Sequence, residues 1–264
     1  MRIQTLPALG LALCLFLSST AWGKVVGHEV EYRAGGTLLK GYLAENTEMK
    51  GKRPGILVVH EWWGQNEYLR KRARMLAELG YTALAVDMFG EGRIARHPDE
   101  AGKFANEVIK NKALEEARFN AALNFIKQQP SVDPTRIAAI GYCFGGGVVL
   151  QMARQGADLK GVVSFHGTLA TDTPAKPGAV KARMLVFSGE ADKMVPAEQV
   201  VAFKKEMSKA GVSYRHVGYP GAKHSFTNPE ADKYAREFNI PLGYDKKADQ
   251  DSWARMRKFL KEVF

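Results

Sequence analysis

Residues 136–147 have the sequence Arg-Ile-Ala-Ala-Ile-Gly-Tyr-Cys-Phe-Gly-Gly-Gly. This segment predicts a strand that ends in a glycine-rich turn, followed by a helix. The spacing Gly141-x-Cys143-x-Gly145 is that of a nucleophile elbow, with cysteine where serine is usual. The flanking glycines let strand and helix approach closely, while the central residue occupies a strained turn. A thiol raised above a sheet at a helix N-terminus is favoured as a thiolate, so Cys143 is the candidate nucleophile.

The rest of the chain alternates short apolar strands with amphipathic helices, which predicts an α/β fold. We expect a mostly parallel central sheet, an N-terminal antiparallel hairpin and helices on both faces. The predicted strands are 26–32, 38–43, 56–59, 82–86, 136–140, 161–165, 184–187 and 213–219. The predicted helices are 66–79, 113–128, 148–154, 197–210 and 249–263. Because no repeat or long linker interrupts this pattern, residues 24–264 are predicted to form one domain.

The N-terminus has the features of a secretory signal peptide. Arg2 precedes a largely apolar run over 6–17, and Ala21-Trp22-Gly23 offers a small-residue cleavage site after Gly23 or Ala21. The apolar run is shorter than the roughly 20 residues that span a bilayer. We therefore expect residues 1–23 to be removed and the protein to be exported to the periplasm. Cys14 would be lost with them, leaving Cys143 as the one thiol in an oxidising compartment.

An elbow nucleophile in this fold needs an acid and then a histidine further along the chain. His224 follows the predicted strand 213–219, and Asp192 follows the predicted strand 184–187. Asp158 and Asp172 are the competing acids, but Asp192 lies at a strand's carboxyl end, where it can orient an imidazole. His166, at the end of another strand, either lines the pocket or is a packed core histidine.

The loop His60-Glu61-Trp62-Trp63-Gly64 follows the buried strand 56–59. A zinc-protease motif is excluded, because its second histidine would fall at Gly64. In a hydrolase this loop supplies one oxyanion-hole amide, here that of Trp62, and Phe144 supplies the other. Glu61 would lie beside the thiol and, next to apolar tryptophans, is a candidate for a raised pKa.

Together these segments resemble the dienelactone hydrolase family of the α/β-hydrolase superfamily. The resemblance rests on residues 60–64, 141–146, 189–192 and 224–226 and covers the chain from about residue 28 to 264. It implies a Cys143, Asp192 and His224 triad that hydrolyses an ester or lactone through a thioacyl-enzyme, as in carboxymethylenebutenolidases. It also implies that Glu61 pairs with the resting nucleophile and swings away when substrate binds. It implies no cofactor and no metal.

The family's substrate contacts are less well matched. Two arginines hold the dienelactone carboxylate in the type enzyme. Here one of those positions is Asn228, and the other falls at Glu91, with Arg93 and Arg96 nearby. We therefore expect these contacts to be lost or moved. The candidate substrate-binding residues are Trp63, Arg93, His166 and Asn228.

The formal net charge of +10 adds little about function. Its basic residues cluster on predicted helix faces, such as 70–74, and such faces are usually solvated. No aromatic interleaving or phosphate loop accompanies them, so we expect a small-molecule ester or lactone substrate and no nucleic-acid partner. We also expect a monomer without stable membrane insertion after signal cleavage. Two alternative functions are an acyltransferase that uses the same acyl-enzyme and a non-catalytic binding protein on the same fold.

Overall fold

A computed structural model describes residues 24–264 of the protein. The predicted signal peptide, residues 1–23, lies outside the described residues and stays a prediction. No helix within the described range is long and apolar enough to cross a bilayer.

The described chain forms one eight-stranded sheet flanked by helices. The strands are β1 (Val25–Ala34), β2 (Thr37–Asn46), β3 (Arg53–Val59), β4 (Thr82–Val86), β5 (Val132–Tyr142), β6 (Gly161–Phe165), β7 (Arg183–Gly189) and β8 (Tyr214–Tyr219). The helices are α1 (Glu67–Glu78), α2 (Pro98–Ile109), α3 (Lys112–Lys127), α4 (Phe144–Arg154), α5 (Ala197–Lys209), α6 (Ala231–Phe238) and α7 (Lys246–Val263).

The strands are arranged in the order β1-β2-β4-β3-β5-β6-β7-β8. β1 pairs antiparallel with β2, and β2 pairs antiparallel with β4. All the other neighbours are parallel, so β3, β5, β6 and β7 end at the same edge of the sheet. The predicted α/β fold with an N-terminal antiparallel hairpin is therefore confirmed. The shared edge brings together the loops that carry the candidate catalytic residues.

Side chains that alternate along each strand build two separate cores, because successive residues point to opposite faces of a sheet. On β3, Leu57 and Val59 pack in the core on one face, and Ile56 and Val58 pack in the core on the other. Helices α3, α4 and α5 cover the first face, and α1 and α7 cover the second. Strands buried on both faces explain the continuous apolar runs in the sequence.

Three details differ from the sequence-based expectation. Helices α2 and α6 were not predicted, since α2 buries mainly small residues and α6 buries only Ala231. Helix α4 begins at Phe144 rather than at residue 148, although its first turn contains glycines with poor helix propensity. Within the basic segment 70–74, Arg72 is buried rather than solvated.

Candidate active site

Cys143 sits at the junction of β5 and α4 in a strained backbone conformation. Its φ of 52° and ψ of −115° are unusual for a residue with a side chain. A Cβ added to Gly141 would lie 2.0 Å from the Gly145 carbonyl oxygen, and one added to Gly145 would lie 2.4 Å from that of Val59. Both glycines are therefore required by the close packing of the strand and helix backbones around Cys143.

His224 and Asp192, which are 32 residues apart in the chain, meet at the same edge of the sheet. His224 Nδ1 is 2.8 Å from Asp192 Oδ2, and Asp192 Oδ1 accepts the backbone N–H groups of Met194 and Val195. The aspartate is thus fixed on both oxygens and holds the imidazole in one orientation. The structure brings these two predicted residues together with Cys143.

The other ring nitrogen of His224 is left open. Nε2 is buried and has no nitrogen or oxygen partner within residues 24–264, and the Cys143 side chain lies beside the ring. Burial disfavours the charged ring, but the neighbouring Cys143 and Asp192 side chains outweigh it and raise the pKa of His224 well above its usual value. An imidazole with this environment is suited to take a proton from the thiol and keep it.

The carboxylate of Glu61 is bound by the turn that follows His224. Ser225 Oγ donates to Oε1 at 2.7 Å, and Asn228 Nδ2 donates to Oε2 at 2.6 Å. Burial raises the pKa of Glu61, as predicted, and these two hydrogen bonds partly offset that effect. The resemblance implied a Glu61 paired with the resting thiol. In this structure both of its oxygens are instead engaged by Ser225 and Asn228.

The loop that carries Glu61 is tied to the elbow by its backbone. Gly145 N–H donates to the His60 carbonyl at 3.0 Å. The His60 ring is buried, which lowers its pKa to about 4, and the neutral ring accepts the Met88 N–H at Nε2 and donates from Nδ1 to the Glu61 carbonyl. In the described part of the chain, the amides of Trp62 and Phe144 are left without an acceptor. Both predicted oxyanion donors are therefore free to bind a ligand oxygen.

His166 matches the second of its two predicted roles, a packed core histidine, and does not line the pocket. It is fully buried, and both ring nitrogens are used. Nδ1 accepts the Cys143 N–H at 3.1 Å, so the proton resides on Nε2, which donates to Thr227 Oγ1 at 2.7 Å. Burial lowers the pKa of His166 well below its usual value and keeps the ring neutral. His166 therefore braces the nucleophile elbow against the turn that carries His224, and it leaves no nitrogen for substrate.

Three other candidate substrate-binding residues also have partners within the protein. Asn228 holds Glu61, as described above. The Arg93 guanidinium donates to both Glu107 oxygens and to the Phe89 carbonyl. Trp63 is only 2% exposed and packs 4.5 Å from the Tyr234 ring. Asn228 and Arg93 are thus engaged within the protein, whereas the buried Trp63 Nε1–H has no hydrogen-bond partner among residues 24–264.

Arg72 was not identified from the sequence as part of the site. Arg72 donates to the Thr227 carbonyl at 2.6 Å and to Asp249 at 2.5 Å. Its guanidinium is enclosed by aromatic rings 5.2–5.6 Å away, those of Tyr68, Tyr142 and Trp253. Arg72 thus helps to fix the turn at 224–228 through its hydrogen bond to the Thr227 carbonyl. The polar run Ser225, Thr227 and Asn228 directly after the histidine was the available sequence signal for such a turn.

Comparison with known proteins agrees with this geometry. The model of the dienelactone hydrolase family matches residues 39–264. Protein usf of Aquifex pyrophilus is 29% identical over 242 residues, covering 90% of this chain and 99% of usf. A dienelactone hydrolase-like promiscuous phosphotriesterase from metagenomic libraries is 33% identical with a TM-score of 0.85, covering 92% of this chain and 100% of that structure. The structure named m3DLH is 37% identical with a TM-score of 0.87 and the same coverage. The chain, a carboxylic-ester hydrolase with an α/β-hydrolase fold, belongs to the dienelactone hydrolase family.

Proposed function

We propose that the protein cleaves an ester or lactone through a thioacyl-enzyme on Cys143, with His224 as the base and Asp192 as its orienting acid. The observation that carries this proposal is the open Nε2 of His224, buried beside Cys143 while Nδ1 is held by Asp192. The strained elbow and the two free amides at Trp62 and Phe144 support it as well.

In this mechanism, His224 takes the thiol proton and Cys143 Sγ attacks the carbonyl carbon. The Trp62 and Phe144 amides stabilise the oxyanion of the tetrahedral intermediate. As the intermediate collapses, the alcohol leaves with the proton from His224, and a thioester remains on Cys143. His224 then activates a water molecule, which attacks the thioester and releases the carboxylic acid and the thiol. In this scheme His224 rather than Glu61 takes the proton, and Glu61 keeps its hydrogen bonds to Ser225 and Asn228.

We further propose that the protein is exported and acts in the periplasm after removal of residues 1–23. The basic start, the apolar run and the small residues around Gly23 support this proposal. N-terminal sequencing of the protein recovered from a periplasmic fraction would test it. A mature N-terminus at Lys24 or Trp22 is expected, and an intact Met1 in that fraction would contradict cleavage.

The central experiment measures hydrolysis of short p-nitrophenyl esters and a panel of small lactones by the mature protein. Cys143→Ala is the matched control, and we expect its rate to fall to background. Mass spectrometry of the protein quenched during turnover should find the acyl group on Cys143. Equal rates for the two proteins, or an adduct elsewhere, would contradict the mechanism. Products formed with an added alcohol or thiol would instead support acyl transfer, and binding without turnover would support a non-catalytic role.

A second candidate activity is hydrolysis of neutral phosphotriesters. It is favoured by the full-length similarity to a promiscuous phosphotriesterase, at 33% identity. The same thiol would attack phosphorus, and the same two amides would bind the phosphoryl oxygen. Release of 4-nitrophenol from diethyl 4-nitrophenyl phosphate, compared between wild type and Cys143→Ala, would test it. A stable phosphoryl adduct on Cys143 without turnover would indicate inhibition rather than catalysis.

A further inference from the structure

A groove of about 590 Å³ lies between one face of α5 and residues 173–177, which follow β6. Its apolar lining consists of Pro174, Ala175, Pro177 and Ala202. The polar side chains that line it are those of Thr173, Lys176, Lys205, Glu206 and Lys209. None of these residues belongs to the candidate active site, so the groove is a separate feature of the molecule.

The polar groups of the groove other than its lysines are engaged within the protein. Arg154 donates to both oxygens of the Glu206 carboxylate, and Glu206 Oε1 also accepts the Ala175 N–H at 2.7 Å. The Thr173 hydroxyl accepts Gln151 Nε2 at 2.7 Å. The lysine ammonium groups are therefore the ones left to bind a ligand.

The three lysines give the groove a net positive charge. All three are exposed, and Lys205 and Lys209 lie four residues apart on the same face of α5. The lysine ion pairs found within residues 24–264 lie elsewhere, at Lys112, Lys127 and Lys233. Because Arg154 neutralises Glu206, the charges of the lysines are left beside an apolar lining.

A second depression, of about 400 Å³, continues the groove and gives it a direction. It shares Pro174 and Ala202 with the first depression and reaches Leu169 and Phe203. Glu198 lies at this end, about 16 Å along α5 from the last groove lysine. The combined surface is therefore positive at one end, apolar along its length and negative at the other end.

We propose that this combined surface, the α5 groove, binds the anion of a medium-chain fatty acid. The carboxylate lies among the lysines, and the hydrocarbon chain lies along Ala202 and Pro174 towards Phe203. An acidic peptide also matches the charge, but an extended peptide needs backbone hydrogen-bond partners. Pro174 and Pro177 have no N–H, and the N–H groups of α5 beyond its first turn are bonded within the helix. This inference goes beyond the proposed function and does not depend on it.

Titration of decanoate into the ¹⁵N-labelled protein, followed by NMR, tests the site. We expect saturable shifts of the amide signals of residues 202–209 and of the non-proline residues within 173–176. Decanol and decyltrimethylammonium have the same chain without the negative charge and should bind about tenfold more weakly, since each exposed ion pair contributes up to about fivefold. Octanoate lacks two methylene groups and should also bind about tenfold more weakly, since each buried methylene contributes up to about fourfold.

Three results of this titration would overturn the inference. These are the absence of saturable binding, shifts confined to the surroundings of Cys143 and His224, and equal affinities for decanoate, decanol and decyltrimethylammonium. Binding of a hexaglutamate peptide in the groove without binding of decanoate would overturn the choice of a fatty acid.

Variants on α5 test the two parts of the groove separately. Lys205→Gln/Lys209→Gln should weaken decanoate binding by about tenfold. Lys258→Gln/Lys261→Gln, an equal change of charge at exposed positions of α7 on the opposite face of the sheet, is the matched control and should leave the affinity unchanged. Ala202→Trp keeps the lysines but fills the seat of the hydrocarbon chain at an exposed position, and it should also weaken binding.

Unchanged affinity in the Lys205→Gln/Lys209→Gln protein would overturn the role of the lysines, and unchanged affinity in Ala202→Trp would overturn the placement of the chain. Hydrolysis of p-nitrophenyl esters should be the same in wild type and in all these variants. Failure of the esterase assay would therefore contradict the proposed function and not the α5 groove.

Discussion

Replacing Asn228 with aspartate would test how Glu61 is held. The change is nearly isosteric, but it puts a carboxylate oxygen where Asn228 Nδ2 now donates to Glu61 Oε2 at 2.6 Å. Asn228 and Glu61 are only 1% and 2% exposed, so water cannot screen the new pair well. We expect the Asn228→Asp protein to be destabilised, and more strongly at alkaline pH.

The size of the destabilisation depends on how the folded protein responds to two facing carboxylates. It can keep both ionised or bind one proton between them, and the response with the lower free-energy cost sets the magnitude. Two ionised oxygens 2.6 Å apart repel by about 6 kcal/mol at an effective dielectric of about 20. Binding one proton between them costs about 1.4 kcal/mol for each pH unit above an unfolded pKa of about 4.3, which is about 5 kcal/mol at pH 8 and about 1 kcal/mol at pH 5. The folded protein therefore binds the proton, and the destabilisation should be about 5 kcal/mol at pH 8 and about 1 kcal/mol at pH 5.

The sign is that of a pair whose folded pKa is raised above its unfolded value. Its contribution to stability is fully present at low pH and is lost as the pH rises. Burial already raises the pKa of Glu61 in the wild type. The informative quantity is therefore the difference in the free energy of unfolding between wild type and Asn228→Asp at each pH.

Urea unfolding at pH 5, 6.5 and 8 would measure the free energy of unfolding of both proteins. Asn239→Asp, which makes the same change at an exposed left-handed position that aspartate tolerates, is the control and should shift stability by less than about 0.5 kcal/mol. A destabilisation of Asn228→Asp that does not change with pH would contradict the buried pairing of residues 61 and 228.

Three further predictions concern the elbow and its neighbours. Gly145→Ala should prevent folding, because its Cβ would lie 2.4 Å from a backbone oxygen. Gly102→Ala is the control: its Cβ would have no atom within 4 Å, and thermal melts should show α2 stabilised by up to about 1 kcal/mol. Normal folding of Gly145→Ala would contradict the close packing. His166→Leu breaks two hydrogen bonds, although the Thr227 hydroxyl keeps Tyr68 and the Cys143 N–H keeps the Phe165 carbonyl, so the free energy of unfolding should fall by about 2 kcal/mol. His216→Leu breaks only the bond to Ser188 and should cost about 1 kcal/mol, and equal losses would argue against a bracing role for His166. Cys143→Ala removes the side chain that raises the pKa of His224, so an NMR titration should give a lower pKa for this ring than in the wild type. An unchanged value would show that Cys143 does not act on the ring.

The order of the elements and the position of the proposed nucleophile could be read from local patterns. Period-two and period-3.6 spacing set the strands and helices, because each residue's side chain must reach a core on a defined face. The elbow was recognisable because the backbones at Gly141 and Gly145 approach other backbone atoms so closely that only glycine fits there. Asp192 and His224 were found because the carboxyl ends of parallel strands share one edge.

The partners of the buried polar side chains could not be predicted in this way. Glu61 and Asn228 are 167 residues apart, and His166 and Thr227 are 61 residues apart. Their meeting depends on how the turn at 224–228 docks on the edge of the sheet, and Arg72 helps to fix that docking from α1. A local pattern specifies which face a side chain takes but not which distant group it finds there. Local patterns in the sequence therefore determined the fold and the proposed reacting residues. Long-range packing alone decided that Ser225 and Asn228 hold Glu61 and that His166 bonds the elbow to Thr227.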